Sequence, residues 1–245
     1  MNRRCWLSSL GVSAAGSLAS LAAVKESQPN TDTCFLSLES FRVRQADGMQ
    51  RLHSYLGGPL LSVFSQIHGG PTMFLEAIVA PHTPQALFLA AFPSIDEMIA
   101  TRGKLAAHPG IQRARADLES GEVPVVEQSQ TQILIANRDS LRFDRRPTQR
   151  ETGVFELRSY RAPAWRNQPP AAVQGAFRRA GIHPILAASA AGEHLPRFTY
   201  LVAFESLAAR QETWARLDAD SEWRGLEAKV TSASIYNLAP YSPLS

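Results

Sequence analysis

Residues 154–161, VFELRSYR, alternate along an extended chain: Phe155, Leu157 and Ser159 fall on one side, Glu156, Arg158 and Tyr160 on the other. Runs of strand character recur at 34–43, 72–80, 85–92, 130–136, 185–190, 198–204 and 232–238, and each predicts a strand. Between the first two, Met49, Leu52 and Leu56, then Leu60, Phe64 and Ile67, are spaced as one helical stripe, with a break expected at Gly57-Gly58-Pro59. In the second half a helix is predicted to open at Pro169-Pro170 and to bury Val173 and Phe177. It should stop after Arg178-Arg179, where Gly181 offers a left-handed cap and Pro184 lies beyond. Ser94 with Glu97 forms a capping-box pattern for a further helix. Ser206 repeats the cap, and Pro109, at the place of Ser221 in the second half, suits the first position of a following turn through its fixed φ.

These elements repeat. An offset of 119 positions pairs Leu38 with Leu157, Ser40 with Ser159, Phe41 with Tyr160 and Arg42 with Arg161. Further on, an offset of 112 pairs Leu89 with Leu201, Phe92 with Phe204, Ser94 with Ser206 and Leu105 with Leu217. Each half therefore reads strand, helix, strand, strand, helix, strand, and the offsets differ where loops absorb insertions.

The first residues belong to neither copy. MNRRCWLSSLGVSAAGSLASLAA places Arg3-Arg4 before a mildly apolar run and small residues at Ser20-Leu21-Ala22, the layout of a twin-arginine-type export signal cleaved near Ala22. Such a run is too diluted by serine and glycine to remain as a membrane span. The expected layout is a signal at 1–23, a polar spacer at 24–33, a first repeat at 34–136, a linker at 137–153 and a second repeat at 154–245. The destination is the periplasm or the outside of a bacterial cell. Loss of Arg3 and Arg4 lowers the formal charge of +3 by two, too small a surplus to imply nucleic acid. Arg142, Arg145 and Arg146 belong to a solvated linker. Cys5 leaves with the signal, so Cys34 has no intrachain partner.

Four stretches of the second copy stand out: Glu156 to Tyr160 in the first strand, Ser206 to Arg210 at a helix start, Asp220 to Trp223 at a turn, and Pro240 to Leu244 at the end. Together they make the second copy resemble the NIPSNAP domain. The first copy diverges, with Glu39, Met98, His108 and Ile111 at the places of the strand arginine, helix arginine, aspartate and tryptophan. The resemblance implies an α+β chain of two tandem ferredoxin-like βαββαβ units in a dimeric α/β-barrel-type arrangement. One chain would close the barrel on itself with an internal pseudo-twofold, as a monomer or as the unit of a larger homo-oligomer. On that plan Phe155, Leu157 and Ser159 should face the helices, and Glu156, Arg158 and Tyr160 the barrel interior. Glu39 and Arg158, at equivalent positions, read as a structural ion pair, or with Glu156 and Tyr160 as the lining of a pocket for a small polar or anionic ligand.

Catalytic patterns are absent from the sequence. None of His53, His68, His82, His108, His183 and His194 stands at metal-ligand spacing from another ligand, so no metal is expected. No phosphate loop or nucleophile elbow is present. Arg210, Asp220 and Trp223 read as an ion-pair, a cap and core. The sequence thus predicts an exported, non-catalytic barrel that binds a small molecule or protein partner, with no cofactor. The alternative is a haem-binding or cofactor-free monooxygenase-like enzyme using the barrel interior, for which His183 is the candidate axial ligand or base.

Overall fold

A computed structural model describes residues 32–44, 46–142, 153–162, 165, 171–191 and 197–243. The export signal, most of the spacer, linker positions 143–152, Pro169-Pro170, His194 and Leu244 lie outside the described residues. The first repeat comprises β1 (Thr33–Val43), α1 (Ala46–Tyr55), α2 (Leu61–Ile67), β2 (Thr72–Val79), β3 (Gln85–Phe92), α3 (Ile95–Ala107), α4 (Pro109–Glu119) and β4 (Val126–Asn137). The second comprises β5 (Val154–Arg161), α5 (Ala171–Ala180), β6 (Pro184–Ala191), β7 (Arg197–Phe204), α6 (Leu207–Ala219), α7 (Ser221–Arg224) and β8 (Lys229–Leu238).

Each repeat is a four-stranded antiparallel sheet, β4-β1-β3-β2 and β8-β5-β7-β6, and the two join edge to edge into one closed barrel. The seams are antiparallel pairings of β2 with β8 and of β4 with β6. Closure leaves neither sheet with its apolar face in water. Every neighbouring pair around the ring is antiparallel, so β1 and β5 run the same way and finish at the same end of the barrel. The pseudo-twofold relating the repeats therefore runs along the barrel axis.

Three apolar clusters result. Leu36, Leu75, Leu89, Leu134, Phe155, Leu186, Leu201 and Tyr236 fill the barrel interior. Leu52, Phe64, Phe74, Phe88 and Ile111 fill the layer between the first sheet and its helices; Tyr160, Phe177, Tyr200, Trp214 and Trp223 fill the second.

The break expected at Gly57-Gly58-Pro59 is a π turn, Leu56–Leu60, that joins α1 to α2 without interruption. The Leu61 N–H reaches the Leu56 carbonyl, and this wider turn accommodates Pro59, which has no N–H to give. Gly57 is needed there, because a Cβ would lie 2.6 and 2.8 Å from ring carbons of Tyr241. Gly57→Ala is expected to destabilise the protein by about 1–3 kcal/mol in a denaturant titration.

Cap geometry follows the sequence closely. Ser94 and Ser206 each accept the N–H three residues on at 3.1 Å. Glu97, expected to complete the box, has its carboxylate 3.8 Å from His68 Nδ1. Gly181 takes φ +79 after α5, and the Ile182 N–H bonds the Phe177 carbonyl at 2.7 Å. β4 and β8 begin earlier than their apolar residues suggest. The polar stretch Val126–Ser129 continues pairing along β1, and Lys229 and Val230 along β5, so backbone hydrogen bonds extend strands that alternation could not mark.

Candidate functional site

Glu156 is fully buried, at 0% exposure. Its Oε1 accepts from Arg158 Nε at 2.8 Å and Arg210 Nη2 at 3.1 Å. Oε2 accepts from Arg210 Nε at 2.8 Å and from the Trp214 indole N–H. Arg158 Cζ lies 3.7 Å from the centroid of the Trp214 ring, and Nη1 donates to Tyr160 Oη at 3.4 Å. Burial pushes the Tyr160 phenol up to about 12, with Arg158 pulling the other way. Burial pulls the Arg158 guanidinium down, and the facing Tyr160 and Glu156 more than reverse it.

This cluster corrects the expected facing of β5. Phe155 belongs to the barrel interior, with Leu157 packed against that cluster, while Glu156, Arg158 and Tyr160 face α6 in the helix–sheet layer. Glu39 is likewise outside the barrel, 3.5 Å from Arg102 of α3. Both faces of each sheet are covered, one by the opposite sheet and one by helices, so alternation separates two sets without saying which is inside. The closed interior admits leucine and alanine. The helix layer takes long polar side chains, because arginines from α3 and α6 reach down to meet them.

The two repeats use the same places differently. Glu39 and Arg102 match Arg158 and Trp214 at offsets of 119 and 112, so an ion pair in one half is a cation–aromatic contact in the other. Glu39 and Arg158 therefore each find a partner within their own repeat. Arg102 also donates to Ser37 Oγ and Thr131 Oγ1, each at 3.1 Å. Burial raises the Glu39 carboxyl, opposed by Arg102 and Arg115.

Asp220 caps α7 by accepting the Trp223 N–H at 2.9 Å and holds Arg179 at 2.7 and 3.1 Å. Those bonds, Arg179 first, hold its carboxyl at about 2. Trp223 sits in the aromatic core beside Tyr160 and Phe177. His183 is exposed before β6 and joins none of these residues. The second helix–sheet layer is filled by Tyr160, Trp165, Phe177, Trp214 and Trp223. Among the described residues no group of three or more histidine, cysteine and carboxylate side chains is placed to hold a metal ion.

Sequence reasoning passed over His68. It is buried at the end of α2, its ring 4.4 Å from that of Phe92 and 5.1 Å from that of Phe64, and neither ring nitrogen has a hydrogen-bond partner. Burial lowers its pKa from the ordinary 6.5, against the smaller opposing pull of the nearby Ala91 carbonyl, too poorly aligned for a formed hydrogen bond, and of the Glu97 carboxylate. Below that pH the unfolded chain binds the proton that the folded imidazole resists, so stability falls as pH falls and is independent of His68 above it. Melting temperature is expected to drop from pH ~7 to pH ~5 by less in His68→Phe than in the parent protein.

Also passed over was the barrel end where β1 and β5 finish. With the facing corrected, Ser40 and Arg42 of β1 and Ser159 and Arg161 of β5 point inward there, as pseudo-twofold mates. Ser159 Oγ lies 3.0 Å from Thr199 Oγ1 inside the wall, and Ser40 Oγ donates to the Gln130 carbonyl at 3.4 Å. The Ser-x-Arg repeated in both first strands was the available signal, but it marks a site only once those residues are known to face in.

No curated protein matches the chain. A presumed chlorite dismutase superposes with a TM-score of 0.57 at 15% identity, over 86% of this chain and 97% of its own. A variant of the chlorite dismutase from Candidatus Nitrospira defluvii gives 0.56 at 8% identity, over 86% and 93%. A NIPSNAP family protein from Agrobacterium tumefaciens gives 0.36 at 19% identity, over 41% and 90%. The first two likenesses share the barrel, at identities that speak for the fold alone. The NIPSNAP family model matches residues 151–243, a stretch that spans the second repeat.

Proposed function

We propose that the protein is an exported, non-catalytic barrel whose role is to bind a small polar ligand at the end where β1 and β5 finish. The observation that carries this reading is the division of the interior: leucine, alanine and aromatic side chains fill the middle and far end, and polar residues gather at this one. The Glu156 cluster is a poorer candidate, since its carboxylate is fully enclosed and its hydrogen bonds are already made within the protein. Export is supported by the Arg3-Arg4 head and the small residues ending at Ala22. The exported protein is expected to begin close to residue 23 by intact mass; a chain still starting at Met1 contradicts export.

Native mass spectrometry followed by denaturation is expected to release a small molecule from the purified protein. In parallel, a thermal-shift panel of neutral, cationic and anionic compounds should contain stabilisers whose effect is lost in Ser232→Phe, which narrows the same end from β8. A protein that carries nothing and responds to no compound contradicts binding.

A further inference from the structure

The charge of that barrel end names the ligand's chemistry. Arg161 of β5 stands directly opposite Arg197 of β7 on one side and Lys229 of β8 on the other. A row of cations thus crosses three adjacent strands, and like charges placed opposite one another destabilise a sheet. Arg42, the counterpart of Arg161, faces them from the other wall, where Nη1 donates to Gln128 Oε1 at 3.3 Å. Among the described residues no carboxylate pairs with Arg42, Arg161, Arg197 or Lys229. Arg197 is half-buried; its neighbour in the wall is Gln132, whose amide oxygen, turned toward it, accepts from Nη2 and from Nε, the latter at 3.2 Å. Burial pulls its guanidinium below the ordinary value with no anion to offset the pull. Further in on the wall of Arg42, Leu38 and Leu87 already belong to the apolar interior, so the cations stand at the opening.

We propose that this opening is an anion site that takes a small polyanion, a phosphate or a di- or tricarboxylate, seated against Arg161, Arg197 and Lys229 and faced by Arg42. The assignment rests on binding at this end and adds the charge of what is bound. Guanidinium forks match carboxylate and phosphate oxygens in pairs, and partial removal from water strengthens each bond. An unbalanced row of cations is a stability sacrifice of the kind binding sites make, and a bound polyanion removes it.

The test is calorimetric titration of inorganic phosphate and of citrate into the purified protein at low salt, with Arg161→Gln, Arg197→Gln and, as a control on the exposed side of α4, Arg113→Gln. Saturable binding is expected for at least one anion. It should weaken at least about tenfold in each of the first two variants and stay unchanged in the control. The ligand-free Arg161→Gln protein should also melt higher than its parent, with the gap closing as salt rises. Either of two results overturns the anion site: no saturable binding of either anion, or equal binding in all variants. A lower melting point for ligand-free Arg161→Gln would overturn it as well, since it would make the arginine a structural partner. If the anions fail while a neutral compound binds and is lost in Ser232→Phe, the binding reading stands and the anion assignment alone falls. If nothing binds, both fall.

Discussion

Glu156→Gln lowers stability by about 3–5 kcal/mol, read as a shift of the urea midpoint at unchanged slope. The magnitude follows from what remains behind. Arg158 and Arg210, with side chains 13% and 22% exposed, lose the shared charge that compensates their removal from water. The amide keeps the shape of the carboxylate, so the loss reports charge rather than a cavity. A double-mutant cycle with Arg210→Met separates the pair from its parts: removing the second charge should restore part of the loss, because one fewer cation is left buried without a partner. A ΔΔG within about 0.5 kcal/mol of zero for Glu156→Gln would mean that the cluster is solvated and that the account of the helix–sheet layer is wrong.

Trp223→Ala is expected to cost about 3–5 kcal/mol, from lost burial and the cavity left behind. The ring is 8% exposed and packs edge-on to Tyr160, with centroids 5.4 Å apart, and against Phe177 at 5.6 Å. It is the place where α7 closes onto the second sheet, so its removal should loosen α7 and the start of β8 before the rest. Hydrogen exchange is the check: amides of Leu226 and of β8 should lose protection while those of β1 keep theirs. An unchanged thermal melt would assign Trp223 to recognition at the surface instead.

Much of this architecture is legible in the chain because its signals are local. Alternation set out each strand to within a few residues, Ser94 and Ser206 announced helices, and Gly181 with Pro184 ended one. The repeat supplied the equivalence of β1 and β5, from which a barrel closed within one chain follows by burying both sheets. What alternation cannot supply is direction. In a sheet covered on both sides, a strand carries two buried faces, and choosing the wrong one moves every residue together. Placing Glu156, Arg158 and Tyr160 inside the barrel had that effect: it sent Ser159 and Arg161 toward the helices and hid the polar end. The polar starts of β4 and β8 stayed unseen for a related reason, since their register comes from partners distant in sequence and not from their own apolar residues. His68 gave no signal at all, because a histidine between phenylalanines is buried by tertiary packing that no short window reveals.

Both halves of the barrel come from one chain, for only then do Arg42 and Arg161 of the same molecule share an opening. Isotope-filtered NOE spectroscopy on a mixture of labelled and unlabelled protein tests this at the seam where Leu134 stands opposite Ala190 and Ile135 opposite Ser189. Cross-strand contacts between β4 and β6 are expected within the labelled chain, and none between labelled and unlabelled chains. Contacts that arise only between chains, or no contacts across that seam, would contradict closure within one chain.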